Sequence, residues 1–189
     1  MTRAYTLKRR ADQQADTRRR IVEAAVELHS TIGPAQTTVS MLAERAGVQR
    51  HTFYAHFPDE RSMLMACSGH VMARDPPPDA EAWRAIKDQG ERLRTGLAAL
   101  YAWYARNAGV MACVLRDSEH HALVREVTDM RMKPTMDSVR AALSAKLTAK
   151  QRAMLVLALS FHTWRTLAQD CGLKGDAAAA AMAHAVMSA

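Results

Sequence analysis

The chain has 189 residues, enough for one sizeable core or for a small domain joined to a larger one. Apolar residues make up 49% of it, with only 8 glycines and 6 prolines, and Ala, Leu, Arg and Met are abundant; this favours helices, and no sustained alternating β pattern or internal repeat competes. The net charge of +7 points to a polyanionic partner, the longest strongly apolar run (154–159) is far too short to span a bilayer, and three scattered cysteines with no CxxC spacing fit a reducing cytoplasm better than a disulfide framework.

The charge excess is concentrated at the start. Arg3, Lys8, Arg9, Arg10, Arg18, Arg19 and Arg20 stand against only Asp12 and Asp16 in the first twenty residues. Residues 1 to about 11 read as a flexible basic arm, which gains free energy near phosphates by releasing counterions. A first helix is expected over about 12–32, its core face formed by Ile21, Ala24, Ala25, Leu28 and Ile32, with Gly33-Pro34 as the stop. In the second helix Val39, Leu42, Ala43 and Ala46 recur at i, i+3, i+4 and i+7. Thr38 can cap it, and Gly47 supplies the positive φ of a sharp exit. A third helix, about 49–57, puts Phe53 and Phe57 on one face and Gln49, Arg50, His51, Thr52, Tyr54 and His56 elsewhere. A short helix held by its apolar side, with donors on the other, is what a DNA major groove accepts. Pro58-Asp59 opens a fourth helix with Met63, Leu64, Cys67 and Val71 on one side, and Asp75-Pro76-Pro77-Pro78-Asp79 is the clearest boundary in the sequence.

The run Thr38-Val39, Leu42-Ala43, Ala46-Gly47-Val48, Thr52, Phe53-Tyr54 and His56-Phe57, preceded by Ile21-Val22-Glu23-Ala24-Ala25, resembles the tetracycline-repressor (TetR) family of transcriptional regulators over about residues 17–64. The resemblance implies an all-α fold of about nine helices: a helix-turn-helix DNA-binding domain with its basic arm (1–58), a connecting helix (59–74), and a C-terminal ligand-binding and dimerisation domain (80–189). It implies a cytoplasmic homodimeric repressor that leaves a palindromic double-stranded operator when a small molecule binds. Thr52 and Tyr54 would then bond phosphates, with Thr37 and Thr38 assisting, while Gln49, Arg50 and His51 reach base edges and His56 adds a polar tip. Two positions depart from the family pattern. His51 stands where a small residue is common. Glu60 replaces a phosphate-contacting Lys, for which Arg61 would have to substitute.

Beyond the prolines, a fifth helix is expected over about 80–107, a short one over 110–115, a longer one from about 118 to 147 containing Pro134, an eighth to about 171 behind the capping box Thr148–Gln151, and a ninth over about 176–187. Tyr101, Trp103, Tyr104, Met111, Cys113, Phe161, His162 and Trp164 are the candidate effector-binding residues, since apolar walls with a few polar tips are typical of ligand sites; the same spacing also fits plain core. Their low charge indicates an apolar or aromatic effector. The eighth helix is apolar on more than one face and the ninth is rich in alanine, so the two fit either a buried monomer core or a two-fold four-helix interface; the resemblance implies the second. No cofactor, metal or catalytic residue is expected. His120 and His121 are adjacent and point apart, the cysteines lack a basic neighbourhood, and no Gly-rich phosphate loop, nucleophile elbow or HExxH motif is present. The alternatives are a DNA-binding dimer without a small-molecule ligand, or a metal or thiol sensor; an enzyme would leave residues 37–57 unexplained.

Overall fold

The computed structural model describes residues 2–173 and 176–189, with side chains from Leu7 onward. Among the described residues the regular elements are helical, no strand forms, and no helix is long and apolar enough to cross a membrane. The chain is all-α. It divides into two compact units: residues up to Arg74 together with Gly109–Asp129, and Asp75–Ala108 together with Met130–Ala189. The chain first changes unit at the proline-rich boundary, then returns to the first unit for residues 109–129.

The first unit is built on α1 (Thr2–Thr31), which packs against α2 (Val39–Ala46) and α4 (Glu60–Arg74); α2 in turn meets α3 (Arg50–His56). Ile21, Val22, Ala24, Ala25 and Val26 of α1 share one buried cluster with Leu42, Phe53, Phe57, Met63 and Cys67. Residues 2–11 were expected as an arm but continue α1 without a break. Nothing between positions 2 and 31 interrupts a helix, because the span holds neither glycine nor proline. Met1 and the side chain of Arg3 lie outside the described residues. At the other end Gly33 has φ 97° and ψ 156°, a conformation open essentially to glycine alone, and leads into a 3-10 turn over Pro34–Gln36. The unit is completed by α6 (Ala108–Ser118) and the first part of α7 (Ala122–Leu143), where Val124 and Val127 cluster with Leu64.

The second unit centres on α5 (Gln89–Arg106), which packs against α10 (Ala177–Met187) and α9 (Phe161–Arg165), while α8 (Ala149–Ala158) packs on α10. The expected fifth helix of about 80–107 is two pieces: a 3-10 turn, Glu81–Ala85, then α5 behind Asp88, whose carboxylate accepts the Glu91 N–H at 2.7 Å. A competing cap overrides helix propensity here. Asp75 fastens the boundary to the far end of α5. Its carboxylate takes Arg106 at 3.0 Å and Asn107 at 2.7 Å, and its carbonyl takes Trp103 Nε1–H at 3.0 Å. The helix expected to reach 147 ends at Leu143, and the chain turns through Lys146 at φ 63°.

The eighth helix is not continuous either. It stops at Ala158, and Ser160 caps a new helix by accepting the His162 N–H at 3.2 Å; that helix runs on into a π-helical turn over Thr166–Asp170. The cause is on α5. Tyr101 and Tyr104 donate their hydroxyls to the carbonyls of Ala158 and Leu159, each at 2.7 Å. An uninterrupted helix would need those carbonyls for the amides of His162 and Thr163. The two phenols satisfy them instead, and the break also explains why ten α-helices stand among the described residues where about nine were expected.

Candidate DNA-reading surface

The reader is assembled by local chemistry. Thr38 Oγ1 accepts the Met41 N–H at 3.3 Å and starts α2, leaving its own proton for another partner. Gly47, at φ 64°, ends α2 in the left-handed conformation, and Val48 N–H returns to the Ala43 carbonyl at 2.9 Å. Arg20 on α1 donates to the Ala46 carbonyl at 3.0 Å, bracing the turn from beneath. The chain then re-enters as α3 from Gln49. Phe53 and Phe57 are 3% and 1% exposed, and the Arg18 guanidinium lies 4.7 Å from the centre of the Phe57 ring. These two rings anchor the helix, so its remaining sides face outward.

Gln49, Arg50, His51 and Tyr54 are exposed, Thr52 and His56 half-buried. Thr52 Oγ1 and His51 Nε2 are 3.3 Å apart, so these neighbours steady one another. The Tyr54 ring stands edge-on to Phe53 at 5.7 Å, which holds its hydroxyl end away from the core. The surface is open and rich in donors, and its backbone position is fixed from behind. Thr37 is placed differently: its hydroxyl donates to the Gly33 carbonyl at 2.7 Å and helps set the elbow before α2. Arg61 is already paired, its Nη1 being 2.5 Å from Glu126 Oε1 on α7. Of the basic residues on α1, Lys8, Arg9 and Arg10 are exposed, whereas Arg19 bridges Asp16 and Glu23.

A well-conditioned match to known proteins accompanies this geometry. The family model described as "Bacterial regulatory proteins, tetR family" matches residues 21–67, from the buried face of α1 to Cys67 on α4. An HTH-type transcriptional regulator of Mycobacterium bovis is 28% identical over 146 residues, covering 76% of this chain and 71% of that one. Over residues 21–67 this chain matches the DNA-binding part of the TetR family. The tetracycline repressor protein class C of Escherichia coli is 32% identical over 87 residues, 43% of this chain and 40% of the repressor. The fold extends the likeness. The transcriptional regulator FadR from Bacillus subtilis, solved in complex with stearoyl-CoA, superposes with a TM-score of 0.60 at 17% identity, covering 89% of this chain and 97% of FadR.

In the second unit five of the eight candidate effector residues come together. Tyr101, Trp103, Tyr104, Phe161 and Trp164 are all buried, with Tyr104 5.5 Å from Phe161 and 6.0 Å from Trp164, ring centre to ring centre. The polar tips of Tyr101, Trp103 and Tyr104 are committed to backbone carbonyls, and burial pushes both phenols above the usual tyrosine range. His162 is exposed. Met111 and Cys113 are buried on α6, in the other unit.

Sequence reasoning missed a buried polar group in the first unit. Asp117, 6% exposed, accepts the Ala35 N–H at 2.9 Å, and Arg116 donates to the Ile32 carbonyl at 2.7 Å, so the end of α6 grips both sides of Gly33. Nearby His29 lies 3.4 Å from the Cys67 thiol. Burial pulls this imidazole down to about 4, with Asp117 acting the other way, and pushes the thiol up to about 12. Cys67 is therefore held as a thiol, which disfavours the thiol-sensor alternative at that position. Among the described residues no group of three or more His, Cys, Asp and Glu is gathered to hold a metal ion.

Proposed function

We propose that this DNA-binding transcriptional regulator works as a homodimer that reads an inverted-repeat operator through α3 and releases it when a small apolar or aromatic molecule binds the second unit. The observation that carries the reading is the open polar side of α3 over its two buried phenylalanines. Thr52 and Tyr54, with Thr38 and the N-terminus of α2, bond phosphates and set the register. Gln49, Arg50 and His51 face the bases, and Arg50 has the planar fork that grips a guanine edge with two hydrogen bonds. Thr37 acts chiefly through the elbow, and His56 lies at the rim.

A second copy of the chain would cover α8 and α10. Ala153, Val156 and Leu157 on α8 and Ala177, Ala180 and Ala181 on α10 are exposed at i, i+3, i+4 spacings, the apolar stripes of a four-helix contact. Two readers related by a two-fold axis match a palindrome. The aromatic cluster of α5 and α9 supports an apolar or aromatic effector, and FadR, with its bound stearoyl-CoA, is an example of this fold holding a molecule with a long apolar chain. Control as a repressor follows the tetracycline repressor. The effector must bind the DNA-competent and DNA-incompetent states unequally, because equal affinity shifts nothing. The base-reading role is tested by Arg50→Ala. Discrimination at one base pair of the operator should fall by about 1–3 kcal/mol, while binding to unrelated duplexes changes little. Equal loss on operator and unrelated DNA, measured by fluorescence anisotropy, would assign Arg50 to the backbone instead.

A further inference from the structure

Arg61 sits at the start of α4, two residues beyond the Pro58-Asp59 turn that closes the reader, and its guanidinium is held by Glu126 Oε1 at 2.5 Å. Its neighbour Glu60 lies 3.2 Å from His121 Nε2. One contact comes from the second turn of α7 and the other from His121, the residue just before that helix. His121 is fixed in turn, its Nδ1 taking the Val124 N–H at 3.4 Å. The opening of α4 thus carries one carboxylate, which would repel a phosphate, and one cation whose charge is already matched.

We propose that Glu126 is an internal stand-in for DNA phosphate, which occupies Arg61 and lowers the regulator's affinity for any duplex. This rests on the DNA-binding reading proposed above and on the phosphate contact that the family resemblance implies for Arg61. A guanidinium meets a carboxylate and a phosphate oxygen through the same N–H fork, so the two acceptors compete for one donor set. The pair is half-exposed on both sides, at 47% and 53%, where ion pairs add little to folding. Its removal therefore changes binding without unfolding the unit. The geometry also makes affinity depend on α7: whatever draws the first turns of α7 away from α4 frees Arg61 for the backbone.

The experiment compares wild type, Glu126→Gln, Arg61→Ala and the double variant on a labelled duplex of mixed sequence across a salt series. Glu126→Gln should bind more tightly than wild type, with a log–log salt slope steeper by about 0.9, the value of one added phosphate contact. Its advantage should therefore shrink roughly three- to fourfold between about 50 and 200 mM salt. In the Arg61→Ala background the same change should give no gain. A Glu126→Gln protein that binds like wild type, or one that gains equally without Arg61, overturns the assignment. The wild-type isotherm on the same duplex reports DNA binding separately from it.

Discussion

Replacing Gly33 by alanine is expected to destabilise the first unit by about 3 kcal/mol, combining the backbone cost of a non-glycine residue in this region with disruption of a buried polar contact. At φ 97° and ψ 156° an L-residue is strained whatever surrounds it. A Cβ here would also run into the Arg116 guanidinium and the Asp117 carboxylate, which grip the elbow through Ile32 and Ala35. Asp117 is buried, so displacing it leaves a carboxylate and the Ala35 amide short of partners. The melting temperature of the full chain should fall by roughly 6–12 °C. DNA affinity should fall as well, since the elbow also holds Thr37 and delivers the chain to the Thr38 cap. Gly172 provides the control: it too has positive φ, 72°, but an added Cβ meets nothing within 4 Å, so only backbone strain would register. A Gly33→Ala protein that melts within a degree of wild type would mean that α6 does not secure the elbow.

The second large effect is expected from Leu157→Asp on α8. Leu157 is 56% exposed and Val156 51% within a single chain, so a carboxylate there costs the isolated fold little. In a two-fold contact the same carboxylate would meet apolar surface and its own symmetry mate, and a buried unpaired charge is not tolerated. Light scattering should show monomers with wild-type helix content by circular dichroism. Affinity for the inverted repeat should drop by about a hundredfold or more, because the second half-site is no longer bound intramolecularly, while affinity for a half-site stays near wild type. A variant that remains dimeric would remove α8 from the interface.

The reader was legible because its determinants are local. Thr38 caps three residues ahead, Gly47 ends a helix one residue after its last apolar position, and Phe53 and Phe57 lie one turn apart. Features set by distant residues were not legible. The interruption after Ala158 is imposed by Tyr101 and Tyr104, more than fifty positions earlier, on a stretch whose apolar pattern reads as unbroken helix. Gly33-Pro34 read as a stop, and nothing nearby announced that Arg116 and Asp117 would close on it. Arg61 illustrates the same limit at the candidate site. Its charge and position were plain, but its partner Glu126 is 65 residues away. The effector set split for a related reason: helical spacing placed seven of the eight residues inward, His162 being exposed, but did not say which of the two units they turn into. The start of α5 is a different case, since Asp88 and Glu91 carried a local capping signal that the broader helical pattern obscured.

The central claim is that the outward side of α3 is presented twice, on a two-fold axis, to duplex DNA. Selection of duplexes from a random pool by the full-length protein tests binding, symmetry and spacing together. The account predicts enrichment of an inverted repeat whose half-site centres are separated by about one helical turn, roughly 10 base pairs, or a multiple of it. A pool left unenriched at low ionic strength, or one converging on an asymmetric site bound by a single chain, would contradict it.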